Sequence, residues 1–225
     1  MKRLIVFDVD GTLCESRKEA DKEMIALLNK LSEKFTIALF SGADKNRIFK
    51  QVANHLNFEP YIGEYSAAHI FKGEETIQKK TLDMDDITSI QYAFARQNTD
   101  PRSLLDISQY QITYYIVNPN TATERERNNA DPTGHIRRNM IKNLNLDAYN
   151  VRLGGKTSID VTLKGISKKN GVDALKKHLD LRDQDILFIG DRCSKGGNDY
   201  MEEVYEYKQV ASPEHTKQCI ARLLQ

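Results

Sequence analysis

The sequence predicts an α/β protein: a core built on a parallel sheet, interrupted by an inserted α+β unit. Three observations carry this. Short apolar runs at residues 4–7 (LIVF), 36–40 (TIALF) and 186–189 (ILFI) have the length and composition of strands buried on both faces of a parallel sheet. Segments with apolar residues at helical spacing alternate with them. Between these ends the pattern changes to strand-rich antiparallel material.

At the N-terminal end, residues 22–31 (KEMIALLNKL) place apolar side chains at positions 24, 25, 27, 28 and 31, so strand, loop and helix follow in order. The second strand is stopped by Ser41-Gly42, and a helix is expected over 44–56 (DKNRIFKQVANHL). Near the C-terminus a helix from Gly171 (GVDALKKHL) precedes the run 186–189, and a terminal helix is expected over 215–224. Such alternation requires right-handed crossovers between parallel strands. The middle reads as a helix after Leu82, strand-like segments including 109–117, a polar stretch over 118–135, a helix over 136–144, and the hairpin-like YNVRLGGKTSIDVTL. The stretch 118–135 lacks periodicity and is expected to be a mobile loop. The domain boundaries predicted are 1–81 with 165–225 for the core and 82–164 for the insertion.

The chain has 225 residues, enough for a sizeable core, and 33 Lys plus Arg against 32 Asp plus Glu leave a formal charge of +1. So balanced a charge, without an aromatic-rich basic stripe, argues against nucleic acid or an anionic membrane as partner. The N-terminal MKR runs straight into the first strand without signal-peptide grammar, so a cytoplasmic location is expected. Cys14, Cys193 and Cys219 lack the spacing of a zinc site or a disulfide framework and read as free thiols. His55, His69, His135, His178 and His215 show no metal spacing and read as surface or helix residues.

In open parallel sheets ligands bind at the carboxyl ends of the strands. Asp8 and Asp10 follow the first strand in FDVDGT, Ser41-Gly42 the second, and Asp191 the last, with Gly196 to Asp199 (GGND) just beyond. Carboxylates converging on one rim repel unless a cation sits between them. Mg²⁺ suits that set, because it takes carboxylate and carbonyl oxygens and leaves positions open for a phosphate. Asp8 is then placed to attack phosphorus and Asp10 to give and take the proton. Gly11 lets the backbone approach a phosphate, while Thr12, Ser41 and the amides around Gly42 are donors for its oxygens. The accompanying cation is expected from Lys168, preferred over Lys169 and Lys164.

Each piece has a plainer reading. DVDGT alone suits a turn or a calcium-loop fragment, but the further ligands of a calcium loop are missing. GDRCSKGGND is ordinary turn material, Ser41-Gly42 a strand terminator, and Lys168, Arg125 and Arg127 solvated charge. Their joint occurrence at strand ends favours the chemical reading. A catalytically silent sugar-phosphate or metal-binding regulator would be marked by loss of Asp8 or Asp10, and both are present.

Together, D-x-D-G-T, the strand-end Ser, the Lys near a later helix start and G-D-x-x-x-x-G-G-N-D resemble the four motifs of the haloacid dehalogenase (HAD) superfamily. The insertion resembles its C2B-type cap. GGKTSIDV at 154–161 and GDRCSKGGNDY at 190–200 are similar to segments of the eukaryotic-type phosphomannomutases, and the likeness runs end to end. The resemblance implies a Rossmann-like core, an Asp8 nucleophile, and Asp10 as acid/base and as metal ligand through its backbone carbonyl. It also implies a Mg²⁺ site completed by Asp191 with Asn198 or Asp199. Cap contacts to a small phosphorylated sugar or polyol are implied for Arg125 or Arg127, Ser158 and Asp160, along with a homodimer through the cap. Two arginines of the mutase cap have no counterpart in ISQYQITYYIVNPNTA. A phosphatase is therefore the first expectation and a phosphomannomutase the alternative.

Overall fold

The computed structural model describes residues 2–97, 100–195 and 197–225. The strands and helices run β1 (Leu4–Asp8), α1 (Lys22–Ser32), β2 (Thr36–Phe40), α2 (Lys45–Gln51), β3 (Tyr61–Glu64), β4 (His69–Lys72), β5 (Glu75–Lys79), α3 (Met84–Ala95), β6 (Leu104–Ile107), β7 (Ile112–Tyr115), α4 (Glu124–Ala130), α5 (His135–Asn143), β8 (Tyr149–Leu153), β9 (Ser158–Leu163), α6 (Lys168–His178), β10 (Ile186–Gly190), β11 (Glu206–Gln209) and α7 (Pro213–Leu224). Two compact units result. One contains the residues up to Lys79 together with Ser167–Gln225, the other Lys80–Ile166.

The first unit is a seven-stranded sheet in the order β11-β10-β1-β2-β3-β4-β5, parallel from β11 to β3 and closed by the antiparallel β4 and β5. Strand period two sorts its core. Ile5 and Phe7 of β1, Ile37 and Leu39 of β2, and Leu187 and Ile189 of β10 pack with Met24, Leu28, Ile48 and Ile220 of α1, α2 and α7. Leu4, Val6, Ala38, Phe40, Ile186 and Phe188 pack on the other face with Val172 and Leu175 of α6. By the same parity Asp8, the last residue of β1, belongs to the α6 side.

The second unit is a four-stranded antiparallel sheet, β6-β7-β9-β8. Ile112, Tyr114, Ile159, Val161 and Val151 form its core with Ile90 and Phe94 of α3 and Leu144 beyond α5. The alternate positions, Thr113, Ser158, Asp160 and Arg152, lie on the opposite, polar face.

Four expectations need correction. The helix expected over 44–56 stops at Gln51, because Val52 leaves helical geometry at φ −141°, and a single 3-10 turn, Ala53–His55, follows. The expected mobile loop 118–135 contains α4, started by a reciprocal capping box in which Thr123 Oγ1 accepts from the Glu126 N–H and the Glu126 carboxylate accepts from the Thr123 N–H. The helix expected from Gly171 begins three residues earlier, because Ser167 caps it by accepting from the Asn170 N–H. His69 is neither on the surface nor on a helix: it sits half-buried on β4 with Nδ1 2.8 Å from Glu64 Oε1. The three cysteines are free and buried. Among the described residues no helix is long and apolar enough to cross a membrane.

Candidate active site

Asp8 ends β1 and Asp191 follows β10, neighbouring parallel strands paired over Leu4–Phe7 and Ile186–Ile189, so their carboxyl ends share one rim. The loop after β10 returns Asp199 to the same place, where its Oδ2 accepts from the Arg192 N–H at 3.1 Å. Carboxylate oxygens of Asp8, Asp191 and Asp199 all lie within 4.8 Å of one another.

Lys168, fully buried at the first position of α6, points its Nζ between two of them, donating to Asp8 Oδ1 and, at 2.6 Å, to Asp199 Oδ1. A cation at a helix N-terminus opposes the macrodipole, so the carboxylates must hold it there. Lys169 instead pairs with Asp173, and Lys164 donates to the Asp147 carbonyl in the other unit.

Burial pushes the Asp8 carboxyl up to about 7, against the attraction of Lys168, with Asp199 and Asp191 adding to the rise. Burial and Asp199 likewise raise Asp191. Burial alone would lower Lys168, but Asp199 and Asp8 hold it above its ordinary value, so it stays charged. One ammonium among three carboxylates leaves an excess of negative charge that a hard divalent cation would relieve. Beside Asp199, Asn198 Oδ1 is buried without a hydrogen-bond donor. An orphaned carbonyl oxygen next to an acidic cluster suits the same ion, and the donor set fits it.

Gly11 has φ +86°, and a Cβ there would lie 2.8 Å from Asp191 Oδ2, so both the backbone conformation and the close approach require glycine. Thr12 is buried and its hydroxyl donates to Asp8 Oδ2 at 3.0 Å. The Ser41 hydroxyl, also buried, accepts from the Ala43 N–H at 3.0 Å, and Gly42 follows it at the end of β2.

Asp10 stands outside the acidic cluster. Its Oδ2 accepts from Arg47 Nη2 at 2.6 Å, and its Oδ1 from the Arg17 N–H at 2.9 Å and Gln51 Nε2 at 3.1 Å. Burial would raise this carboxyl, but Arg47, Arg17 and Gln51 together hold it below its ordinary value. Arg47 and Gln51 lie in the helix anticipated from the sequence, but only their i, i+4 spacing hinted that they share a face.

In the second unit Arg125 is exposed, whereas Arg127 donates to the carbonyls of Ala122 and Pro119. Ser158 and Asp160 project from β9 beside Gly154, where a Cβ would lie 2.0 Å from Ser158 Oγ and 2.6 Å from Asp160 Oδ2. Arg137, buried, pairs with Asp131 at 2.9 Å and donates to the carbonyls of Gly155 and Ser158, clamping the hairpin that carries them. Arg152, across the strand pair from Asp160, makes no hydrogen bond or ion pair among the described residues. Neither arginine was anticipated from the sequence. Burial pushes half-buried Asp160 up to about 6, opposed by Thr113, Arg137 and Arg152.

Carboxylates and a lysine gathered on the carboxyl rim of a parallel sheet define a phosphoryl-transfer type of α/β site. The chain belongs to the haloacid dehalogenase-like hydrolase family, whose model matches residues 5–151. The eukaryotic phosphomannomutase model matches residues 115–225. A phosphomannomutase of Solanum lycopersicum is 26% identical over 96% of this chain and 92% of its own length. Two solved structures share the fold. One, an N-terminally truncated IMP-nucleotidase of Plasmodium falciparum with IMP bound, has a TM-score of 0.69 and 20% identity, covering 99% of this chain and 68% of its own. The other, a HAD subclass IIB sugar phosphatase, has a TM-score of 0.66 and 15% identity, covering 99% of both chains.

Proposed function

We propose that the protein is a magnesium-dependent phosphatase of a small sugar phosphate, acting through an aspartyl-phosphate on Asp8. The observation that carries this is the buried Lys168 ammonium shared by Asp8 and Asp199, with Asp191 alongside. Mg²⁺ held by Asp8, Asp191 and Asp199, with the Asp10 carbonyl and Asn198 nearby, would offset phosphate charge. Lys168 holds the Asp8 carboxylate in line, and the Thr12 hydroxyl orients its second oxygen. An Asp8 oxygen attacks phosphorus and the bond to the sugar oxygen breaks, that oxygen taking a proton from Asp10, which must enter this step protonated although Arg47, Arg17 and Gln51 favour its ionised form. Water then attacks the acyl-phosphate and gives its proton to Asp10. Inorganic phosphate leaves, and the Asp8 carboxylate is restored. Ser41 and the Gly11 and Gly42 backbones contribute phosphate contacts, and Ser158 and Asp160, with Arg125 or Arg127, contribute contacts to the sugar.

Phosphomannomutase is the second reading, favoured by the similarity to phosphomannomutases over nearly the whole chain. The test is phosphate release from hexose 1- and 6-phosphates by the wild type and by Asp8→Asn. Release abolished by Asp8→Asn in a folded protein supports the nucleophile, and an active Asp8→Asn enzyme refutes it.

A further inference from the structure

The two aspartates of DVDGT serve in different surroundings, and the side chains that hold Asp10 come from one helix, with the Arg17 N–H of the loop after β1 sharing its Oδ1. Arg47 and Gln51 stand four residues apart on α2 and therefore on one face of it. Ile48, packed in the core, fixes the rotation of that helix, and Asp44 caps it by accepting from the Arg47 N–H at 3.0 Å. From this face Arg47 takes one oxygen of Asp10 and Gln51 the other, while Arg47 Nε donates to Gln51 Oε1 at 3.2 Å. The two side chains thus close a ring around the carboxylate. Gln51 is buried, and its Nε2 also lies 3.2 Å from the Lys18 carbonyl, which locks its own rotamer. None of these contacts involves Asp8, Lys168, Asp191 or Asp199.

A proton-transfer group must be held in one orientation, and a misplacement of about 1 Å can cost on the order of 10² in rate. We propose that Arg47 and Gln51 are positioning residues that fix the Asp10 carboxylate for proton transfer to the leaving sugar oxygen and from the attacking water. The inference rests on Asp10 serving as acid and base. Neither residue touches the reacting atoms. Both act through Asp10, so their removal should affect only steps that need a proton moved.

The experiment compares two substrates in the full-length protein with Mg²⁺. A hexose phosphate has a poor leaving group that must be protonated, whereas 2,4-dinitrophenyl phosphate has one that leaves as the anion. Steady-state phosphate release is measured for the first, and the pre-steady-state burst of dinitrophenolate for the second. Arg47→Ala is expected to lower kcat for the hexose ester by about 10- to 100-fold, with KM within about threefold and the burst rate unchanged. Arg47→Lys should recover part of the loss. Gln51→Met reads the same ratio if Arg47→Ala does not fold. Equal slowing of both substrates, or slowing of neither, overturns the proposal. Failure of the underlying reading looks different: Asp10→Asn would turn over the hexose ester as fast as wild type, or Asp8→Asn would still show the burst.

Discussion

Lys168 Nζ lies 2.6 Å from Asp199 Oδ1, and its other hydrogen bond goes to Asp8, 160 residues away along the chain. A single ammonium thus fixes β1, α6 and the loop after β10 relative to one another. The same contact makes the site electrostatically dependent on the lysine, because both carboxylates are buried with it.

Lys168→Met should therefore abolish turnover and also destabilise the protein, since removing one partner of a buried pair typically costs about 3–5 kcal/mol. Denaturant unfolding in chelator measures this. Added Mg²⁺ should return part of the lost stability by standing in for the missing positive charge. An unchanged unfolding midpoint in the variant would contradict the structural role.

Metal should be visible without turnover. An ion that binds the folded chain and not the unfolded one stabilises by about 2.7 kcal/mol at a hundred times its Kd. The wild-type thermal midpoint should rise with Mg²⁺, and that of Asp191→Ala should rise much less. Excess chelator should abolish activity. A midpoint indifferent to Mg²⁺ in both proteins would remove the metal from the site.

Much of this could be read in the residues, and the limits have physical causes. β1, β2 and β10 were legible because strands buried on both faces leave continuous apolar runs. β11 was not: its four residues, Glu206–Gln209, are all exposed, so its polar composition gives no strand signal at a sheet edge. α4 escaped because no residue of it is buried, so it has no apolar period, and only the Thr123–Glu126 capping box announces it. Asp8, Lys168, Asp191 and Asp199 could be named from strand-end position and motif. What could not be named was how Asp10 is held, since Arg47 and Gln51 reach it across 37 and 41 residues. Arg152 was hidden for a similar reason: its neighbour Asp160 is set by the register of β8 on β9.

Gly154 offers a test of that hairpin. A methyl group there would collide with Ser158 Oγ and Asp160 Oδ2, both ends of side chains that can swing away. Gly154→Ala should consequently leave the thermal midpoint within a few degrees while raising KM for a sugar phosphate several-fold. A large stability loss with unchanged KM would show that these side chains do not meet the sugar.

The raised carboxyl of Asp160 predicts a pH effect whose sign follows from linkage. The folded chain binds this proton with a pKa of about 6, the unfolded chain with one of ~3.9. Between those values the folded state holds a proton that the unfolded state has released. This group's contribution to stability is therefore present below about pH 4 and is lost as pH rises through 6. Asp160→Asn should raise stability at pH 7 relative to wild type, and the difference should shrink toward pH 4. A difference that grows on acidification would mean that the carboxylate is stabilised by Arg152 and Arg137 more than burial opposes it.

Phosphate release and mutase action separate on the cations available for a second phosphate. A mutase must retain a bisphosphate while the sugar reverses and must keep water from the aspartyl-phosphate, a task suited to bidentate arginines. In the second unit Arg127 and Arg138 are engaged by backbone carbonyls, Arg102 by Asp100, Arg137 by Asp131 and the hairpin, and Arg96 lies over the Tyr92 ring, leaving Arg125, exposed, and Arg152, beside the negative Asp160. Water is accordingly expected to reach the phosphorylated Asp8 faster than a second sugar oxygen does. Incubation with mannose 1-phosphate or glucose 1-phosphate and a hexose 1,6-bisphosphate, following free phosphate and hexose 6-phosphate together, decides it. Phosphate should accumulate with little hexose 6-phosphate. If hexose 6-phosphate forms faster than phosphate, the protein is a mutase, and Arg152→Leu should then convert it toward net hydrolysis by removing the remaining partly buried cation on the polar face of that sheet.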